Sequence, residues 1–233
     1  MTGFSDQSIP ARLSAVRERV AAAAHAAGRD PADIRIIGAS KRQPLAAVQA
    51  AIAAGLEDFG ENFVQEALSK MDAVGPGQAR WHFIGALQSN KTAVVAERFD
   101  WVHSIDRLKL AERLSRQRPA ALPPLAVCLQ VNIGGEASKS GVAPADTAAL
   151  AHAVAALPRL RLRGLMAIPP PESDPERQRA WCRRLAELQA QLCAEGLALD
   201  TLSMGMTDDL EAAVAEGATL VRIGTALFGP RPD

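Results

Sequence analysis

Eight short apolar runs, each followed by a longer stretch with apolar residues at three-to-four spacing, constrain this chain more than any other feature. The expected strands lie near Ile34–Ser40, Glu57–Gly60, Trp81–Ile84, Trp101–His103, Leu125–Val131, Leu162–Ala167, Leu199–Ser203 and Leu220–Ile223. Helical stretches fit between them at Leu45–Ala54, Phe63–Ala73, Lys91–Arg98, Leu108–Arg118, Pro144–Leu157, Pro175–Glu195 and Asp208–Glu216. An opening helix runs from Ile9 to Ala27, and Gly28 stops it. Strand and helix alternating eight times, joined by right-handed crossovers, close into a parallel (β/α)8 barrel of the TIM type, an α/β fold. An open doubly wound sheet is the rival. It carries Gly-x-Gly-x-x-Gly after its first strand, whereas here that turn reads Ser40-Lys41-Arg42-Gln43-Pro44. Only Thr225 to Asp233 follow the eighth strand, too few for a real helix, so the opening helix is expected to fill the last place in the outer ring. Residues 1–233 read as a single domain, with no fixed-period repeat and no low-complexity tract.

A chain of 233 residues buries roughly 70–75% of its unfolded surface on folding, so it needs no disulfide or structural metal. The cysteines agree: Cys128 lies in an apolar run, and Cys182 and Cys193 stand about 16 Å apart along one helix at 1.5 Å per residue, too far to bridge. Reduced thiols, together with a residue 1–10 segment that has Asp6 and no apolar core, place the chain in the cytoplasm. Lys plus Arg and Asp plus Glu balance at 26 each, which leaves no basic field for a nucleic-acid backbone. No run of about 18 apolar residues occurs, so no membrane span is expected. Apolar helix faces are compatible with a monomer or a weak dimer.

A barrel gathers the carboxyl ends of its strands on one face, and here those ends are unusually polar. Lys41 closes the first strand. It is one of only five lysines against 21 arginines, and a lysine at a strand's carboxyl end is the residue type that forms an imine with an aldehyde cofactor. The two-residue period puts Ile37, Ala39 and Lys41 on one face, so the lysine has a small neighbour. Partial desolvation and Arg42 should lower its pKa from the free value of about 10.4. A solvated lysine at a strand end is the plain alternative. Ser203-Met204-Gly205-Met206-Thr207 follows the seventh strand, and Gly224-Thr225 the eighth. Small residues there let backbone N–H groups close on phosphate oxygens, although two ordinary glycine turns would read the same way. Arg222 alternates with Val221 and Ile223, so it faces the barrel interior, either beside a pyridine nitrogen or paired with a carboxylate. Together these residues favour a phosphorylated aldehyde, pyridoxal 5′-phosphate, held as a Schiff base.

His82 and His103 lie in or at the ends of the third and fourth strands and read as hydrogen-bonding histidines. There is no His-x-x-x-His and no Cys-x-x-Cys, so no metal is expected. Lys139 is the rival amine, in a glycine-rich loop from Asn132 to Gly141 that resembles a phosphate loop in composition only. His25 and His152 lie on helices and carry no chemistry.

Five strings resemble the pyridoxal phosphate homeostasis protein family over nearly the whole chain. They are Ile37 to Lys41, Phe59-Gly60-Glu61-Asn62-Phe63-Val64-Gln65-Glu66, Trp81 to Lys91, Val131 to Gly141, and Leu202 to Met206 with Val221 to Gly229. The resemblance implies a barrel similar to the amino-terminal domain of alanine racemase. It implies Lys41 as the Schiff-base lysine and Arg222 at the pyridine nitrogen. It implies Ser203, Gly224 and Thr225 as phosphate-binding segments, and Asn62 and His82 near the cofactor ring. This sequence departs from the family's commoner pattern at Phe63, Ala86 and Arg42. An alanine-racemase-like site takes its second acid/base from a tyrosine of an additional domain, and this chain has no tyrosine. The resemblance therefore implies a protein that holds pyridoxal phosphate reversibly and passes it to dependent apo-enzymes, not an enzyme. A racemase using His82 or a cysteine as second base is the alternative, and a class I aldolase a more distant one.

Overall fold

Eight parallel strands close into a ring in chain order: β1 (Arg35–Ala39), β2 (Asp58–Glu61), β3 (Arg80–Phe83), β4 (Trp101–Ile105), β5 (Leu125–Gln130), β6 (Leu160–Met166), β7 (Thr201–Ser203) and β8 (Leu220–Ile223). This computed structural model describes residues 8–136 and 139–230. Most of the segment read as lacking an export signal, Ala137 and Ser138 of the loop after β5, and the last three residues lie outside them. The ring closes where β1 pairs with β8, and Ile37 sits level with Asp58 on one side and Arg222 on the other.

Side-chain alternation sorts the strands into two cores. Ile37, Trp101, Ala126, Cys128, Met166 and Leu220 pack together inside the ring. A larger cluster, with Phe59, Phe83, Val102, Leu129, Leu165, Val221 and Ile223, lies between ring and helices. Each fully buried side chain of this kind contributes about 1.5–3 kcal/mol relative to exposure.

Around the ring lie α1 (Ile9–Ala26), α2 (Leu45–Ala53), α3 (Val64–Val74), α4 (Thr92–Arg98), α5 (Leu108–Gln117), α6 (Thr147–Ala155), α7 (Pro175–Ala194), α8 (Leu210–Ala215) and α9 (Thr225–Phe228). Pro10 in the first turn of α1 suits a helix start, and the helix buries Leu13, Val16, Val20 and Ala24 at three-to-four spacing. That stripe packs against α2, α8 and α9, so the opening helix does complete the outer ring. Several boundaries differ from expectation, two of them around the last helix and α6. A single helical turn, α9, follows β8 where none was expected, and Gly229 at φ 82 ends it. Residues Pro144–Asp146 form a tight turn ahead of α6, which starts only at Thr147. The Asp174 side chain caps α7 by accepting from Glu176 N at 2.9 Å. Among the described residues no helix is long and apolar enough to cross a membrane, and all three cysteines are free.

Candidate functional site

β1 ends at Ala39, and the chain turns sharply through Ser40 to Gln43, whose N–H donates to Ser40 O at 3.0 Å. Arg42 adopts φ 58, a left-handed conformation that a long side chain visits only when its surroundings hold it there. A buried polar cluster does so. Lys70 Nζ, from α3, donates to Ser40 O at 2.6 Å, to Glu61 Oε1 at 2.7 Å and to Glu66 Oε1 at 2.7 Å. Ser40 Oγ donates to Glu61 Oε1 at 2.6 Å, and Arg42 N donates to Glu66 Oε1. Both neighbours of Lys41 are thus tied down by α3 and β2. Glu61 is fully buried, and burial pushes its carboxyl above the ordinary range against the hydrogen bonds from Lys70 and Ser40. Glu61, Glu66 and Lys70 escape a sequence reading because a lysine and a glutamate four apart on a helix look like a solvated pair. The apolar spacing of Val64, Ala67 and Met71, which places Lys70 on the buried face, is the signal that could have found them.

Half-buried Lys41 shares the carboxyl-end face with other predicted residues. Gly224 lies beside Ala39: a Cβ there would meet Ala39 O at 3.7 Å and Ala39 Cβ at 3.9 Å, ordinary contact distances, so the backbone next to the Lys41 turn is not crowded. Thr225 is exposed and opens α9. Asn62 follows β2, and its Oδ1 is buried with no hydrogen-bond partner. Gly85 crosses it so closely that a Cβ would stand 2.3 Å from Asn62 O. Phe63, next in sequence, is half exposed. Arg222 is 4% exposed and points into the ring, as its alternation predicts. Nη1 donates to Ser203 O (2.6 Å) and Ser203 Oγ (2.8 Å), and Nη2 to Ala167 O (2.8 Å). A guanidinium has five N–H donors, so the Nε–H and one N–H on Nη2 remain for another acceptor. Burial lowers this guanidinium to about 10, and it stays charged at neutral pH. A buried amide oxygen without a donor and a buried cation with donors to spare fit a polar cofactor ring. The uncrowded backbone at Gly224 fits its phosphate.

Ser203 and His82 sit one layer deeper than their expected roles. Ser203 is fully buried, with its hydroxyl between His103 Nδ1 (2.8 Å) and Arg222. His82 is fully buried between Asp58 Oδ1 (2.8 Å) and His103 Nε2 (2.9 Å). Burial alone would push the Asp58 carboxyl up. Hydrogen bonds from His82 and Arg80, with the positive charge of Arg35 close by, carry it well below the carboxylate range. Burial pushes His82 down despite Asp58, and burial plus the charges of Arg222 and Arg35 hold His103 further down.

Both histidines are therefore neutral in the folded state, while an unfolded histidine takes up a proton near pH 6.5. Below that pH the unfolded state binds more protons, so stability present above about pH 6.5 is lost on acidification. The loss is about 1.4 kcal/mol per pH unit for each histidine that stays neutral. Urea unfolding at pH 7.5 and 5.5 measures this, and equal stability at both would contradict it.

Lys139 is exposed, on the loop after β5. Among the described residues no group of His, Cys, Asp and Glu could hold a metal ion.

Residues 12–232 match the family model described as alanine racemase, N-terminal domain. A pyridoxal phosphate homeostasis protein of Pseudomonas aeruginosa is 61% identical over 224 residues, 96% of each chain. The protein of that name from Escherichia coli K12 is 54% identical, over 94% of this chain and 95% of its own. The solved structure of PipY from Synechococcus elongatus without PLP superposes with a TM-score of 0.85 at 38% identity, over 95% of this chain and all of PipY. The structure of PipY with PLP bound does so at 0.84. With matches of this extent on both sequence and fold, the chain belongs to the pyridoxal phosphate homeostasis proteins, within the family of alanine racemase N-terminal domains.

Proposed function

We propose that this protein binds pyridoxal 5′-phosphate through Lys41 and serves intracellular vitamin B6 homeostasis as a reversible holder of the cofactor. The observation that carries this reading is convergence. The pinned turn bearing Lys41, the orphaned Asn62 oxygen, the spare donors of Arg222 and the uncrowded backbone at Gly224 all lie at the carboxyl ends of the strands. Relatives named for pyridoxal phosphate homeostasis, and the structure of PipY with PLP bound, support it. When bound, the cofactor supplies an aldehyde that condenses with an amine and a pyridine ring that withdraws electrons. Lys41 supplies that amine, Arg222 faces the ring nitrogen, and Asn62 fixes the ring edge. Gly224 and Thr225 take the phosphate, with Ser203 and His82 supporting Arg222 from beneath. A permanently charged arginine at that nitrogen disfavours its protonation and so weakens the ring as an electron sink.

Holding without robust catalysis follows from what surrounds the site. Racemisation needs a second acid/base on the far side of the substrate, and losing one forfeits about 10²–10⁴-fold in rate. His82 is buried with both ring nitrogens engaged. The Cys128 thiol is buried and pushed up to about 12, so neither residue supplies that base. The protein acts as one domain in the cytoplasm, as a monomer or weak dimer, and hands cofactor to dependent apo-enzymes. Alanine incubated with the loaded protein in heavy water is expected to exchange its α-hydrogen no faster than with free cofactor. Exchange at enzymatic rates would replace this reading with the racemase.

A further inference from the structure

Five strands contribute to one unbroken file of hydrogen bonds along the barrel interior. Arg80 Nε and Nη2 donate to Asp58 at 2.9 and 3.0 Å. His82 Nε2 meets Asp58 Oδ1 at 2.8 Å, and His82 Nδ1 meets His103 Nε2 at 2.9 Å. His103 Nδ1 meets Ser203 Oγ at 2.8 Å, and Arg222 Nη1 donates to the same oxygen at 2.8 Å. His82, His103 and Ser203 are wholly shielded from solvent.

The Asp58 end, with both histidines neutral, dictates every proton along the file. An ionised Asp58 only accepts, so His82 carries its proton on Nε2. A neutral imidazole has one N–H, so His82 Nδ1 accepts and His103 Nε2 donates. His103 Nδ1 must then accept, and the single Ser203 O–H is donated to it. At the far end Arg222 only donates, and the lone pairs of Ser203 are left to receive it. Arg222 alone would leave Ser203 Oγ a second lone pair for His103, so it is the ionised Asp58 that sets the order.

This file answers a physical problem at Arg222. Among the described residues no carboxylate lies within ion-pair distance of its guanidinium, whose acceptors are two carbonyls and a hydroxyl. Hydrogen bonds aligned toward Asp58 polarise one another and make Ser203 Oγ a stronger acceptor. We propose that His103 is a positioning residue for the cofactor: through Ser203 it orients the Arg222 guanidinium and keeps it charged where the pyridine nitrogen lies. The proposal rests on the proposed function only for the identity of the ring that Arg222 meets.

The test has an arm that needs no cofactor. In long-range ¹H–¹⁵N spectra of histidine-labelled protein without pyridoxal phosphate at neutral pH, His82 and His103 should both be neutral Nε2–H tautomers. A His103 protonated on Nδ1, or either ring as an imidazolium, overturns the proposal. In the second arm, His103→Gln can still donate an amide N–H toward His82 and accept from Ser203, whereas His103→Leu can do neither. Loaded His103→Leu is expected to release pyridoxal phosphate about tenfold faster, with a shifted visible band, and His103→Gln to recover most of both. Wild-type behaviour in folded His103→Leu, or equal impairment in the two variants, overturns it. A wild-type protein that binds no pyridoxal phosphate would overturn the proposed function and leave the tautomer pattern standing.

Discussion

A Lys41→Ala protein titrated with pyridoxal phosphate is expected to develop no visible imine band and to hold the cofactor about a hundredfold less tightly, or about 2.8 kcal/mol. Arg222, Asn62 and the Gly224 strip remain in the variant, so the phosphate and ring contacts persist. What disappears is an amine whose flanking residues are fixed on both sides, by Lys70 on Ser40 and by Glu66 on Arg42. Such fixing holds the nucleophile where the aldehyde arrives, and pre-organisation of this kind is the part of binding that a mobile amine cannot supply. Lys139→Ala, which alters an exposed loop lysine, should leave the band intact. Spectrophotometric titration of the three proteins measures both effects, and a persistent band in Lys41→Ala would assign the amine elsewhere.

Lys70→Met should destabilise the fold by about 3–5 kcal/mol, because it strips the counter-charge from a fully buried carboxylate. Glu61 Oε2 already lacks a hydrogen-bond partner, so Ser40 alone would remain to it. The signature is a lowered urea midpoint with an unchanged slope. The pH dependence distinguishes this cause from lost packing. With Lys70 gone, the folded-state pKa of Glu61 rises further above its unfolded value. The protonated carboxyl is then favoured in the fold, so the deficit relative to wild type is smallest in acid and grows as pH rises through that pKa. Adding Glu61→Gln to Lys70→Met should recover much of the loss, since a neutral amide carries no unpaired charge. A deficit independent of pH, and not relieved by the second substitution, would contradict this account of the cluster.

The barrel was legible because run length and period are local properties. All eight strands occur where apolar runs end in polar residues, and Arg222 faces inward because Val221 and Ile223 face the helices. The place of Lys41, in the turn just past the end of β1, was legible for the same reason. What stayed hidden depends on ring closure. His103 and Ser203 are 100 residues apart in sequence, and only the curvature that brings β4 opposite β7 lets them meet. Ser203 was read as part of a segment whose backbone N–H groups bind phosphate, and that reading carried no sign that its hydroxyl turns into the barrel, where Arg222 and His103 offer a donor and an acceptor. Asp58 drew no notice in the sequence, where it lies within the expected second strand. Its inward parity with Gly60, level with Arg80 and His82 on the next strand, was the available clue. β6 begins at Leu160, before the expected Leu162. Arg159 makes the turn at φ 61, and the arginines between the leucines obscured the strand pattern.

The central claim, that Lys41 is the amine joined to pyridoxal phosphate, is tested most directly by borohydride reduction of the loaded protein and mass mapping of its peptides. Reduction turns an imine into a stable secondary amine at the lysine that bore it. The account predicts the pyridoxyl phosphate mass on the peptide containing Lys41, in near-stoichiometric yield. Modification confined to Lys70, Lys91, Lys109 or Lys139, with Lys41 unmodified, would contradict it.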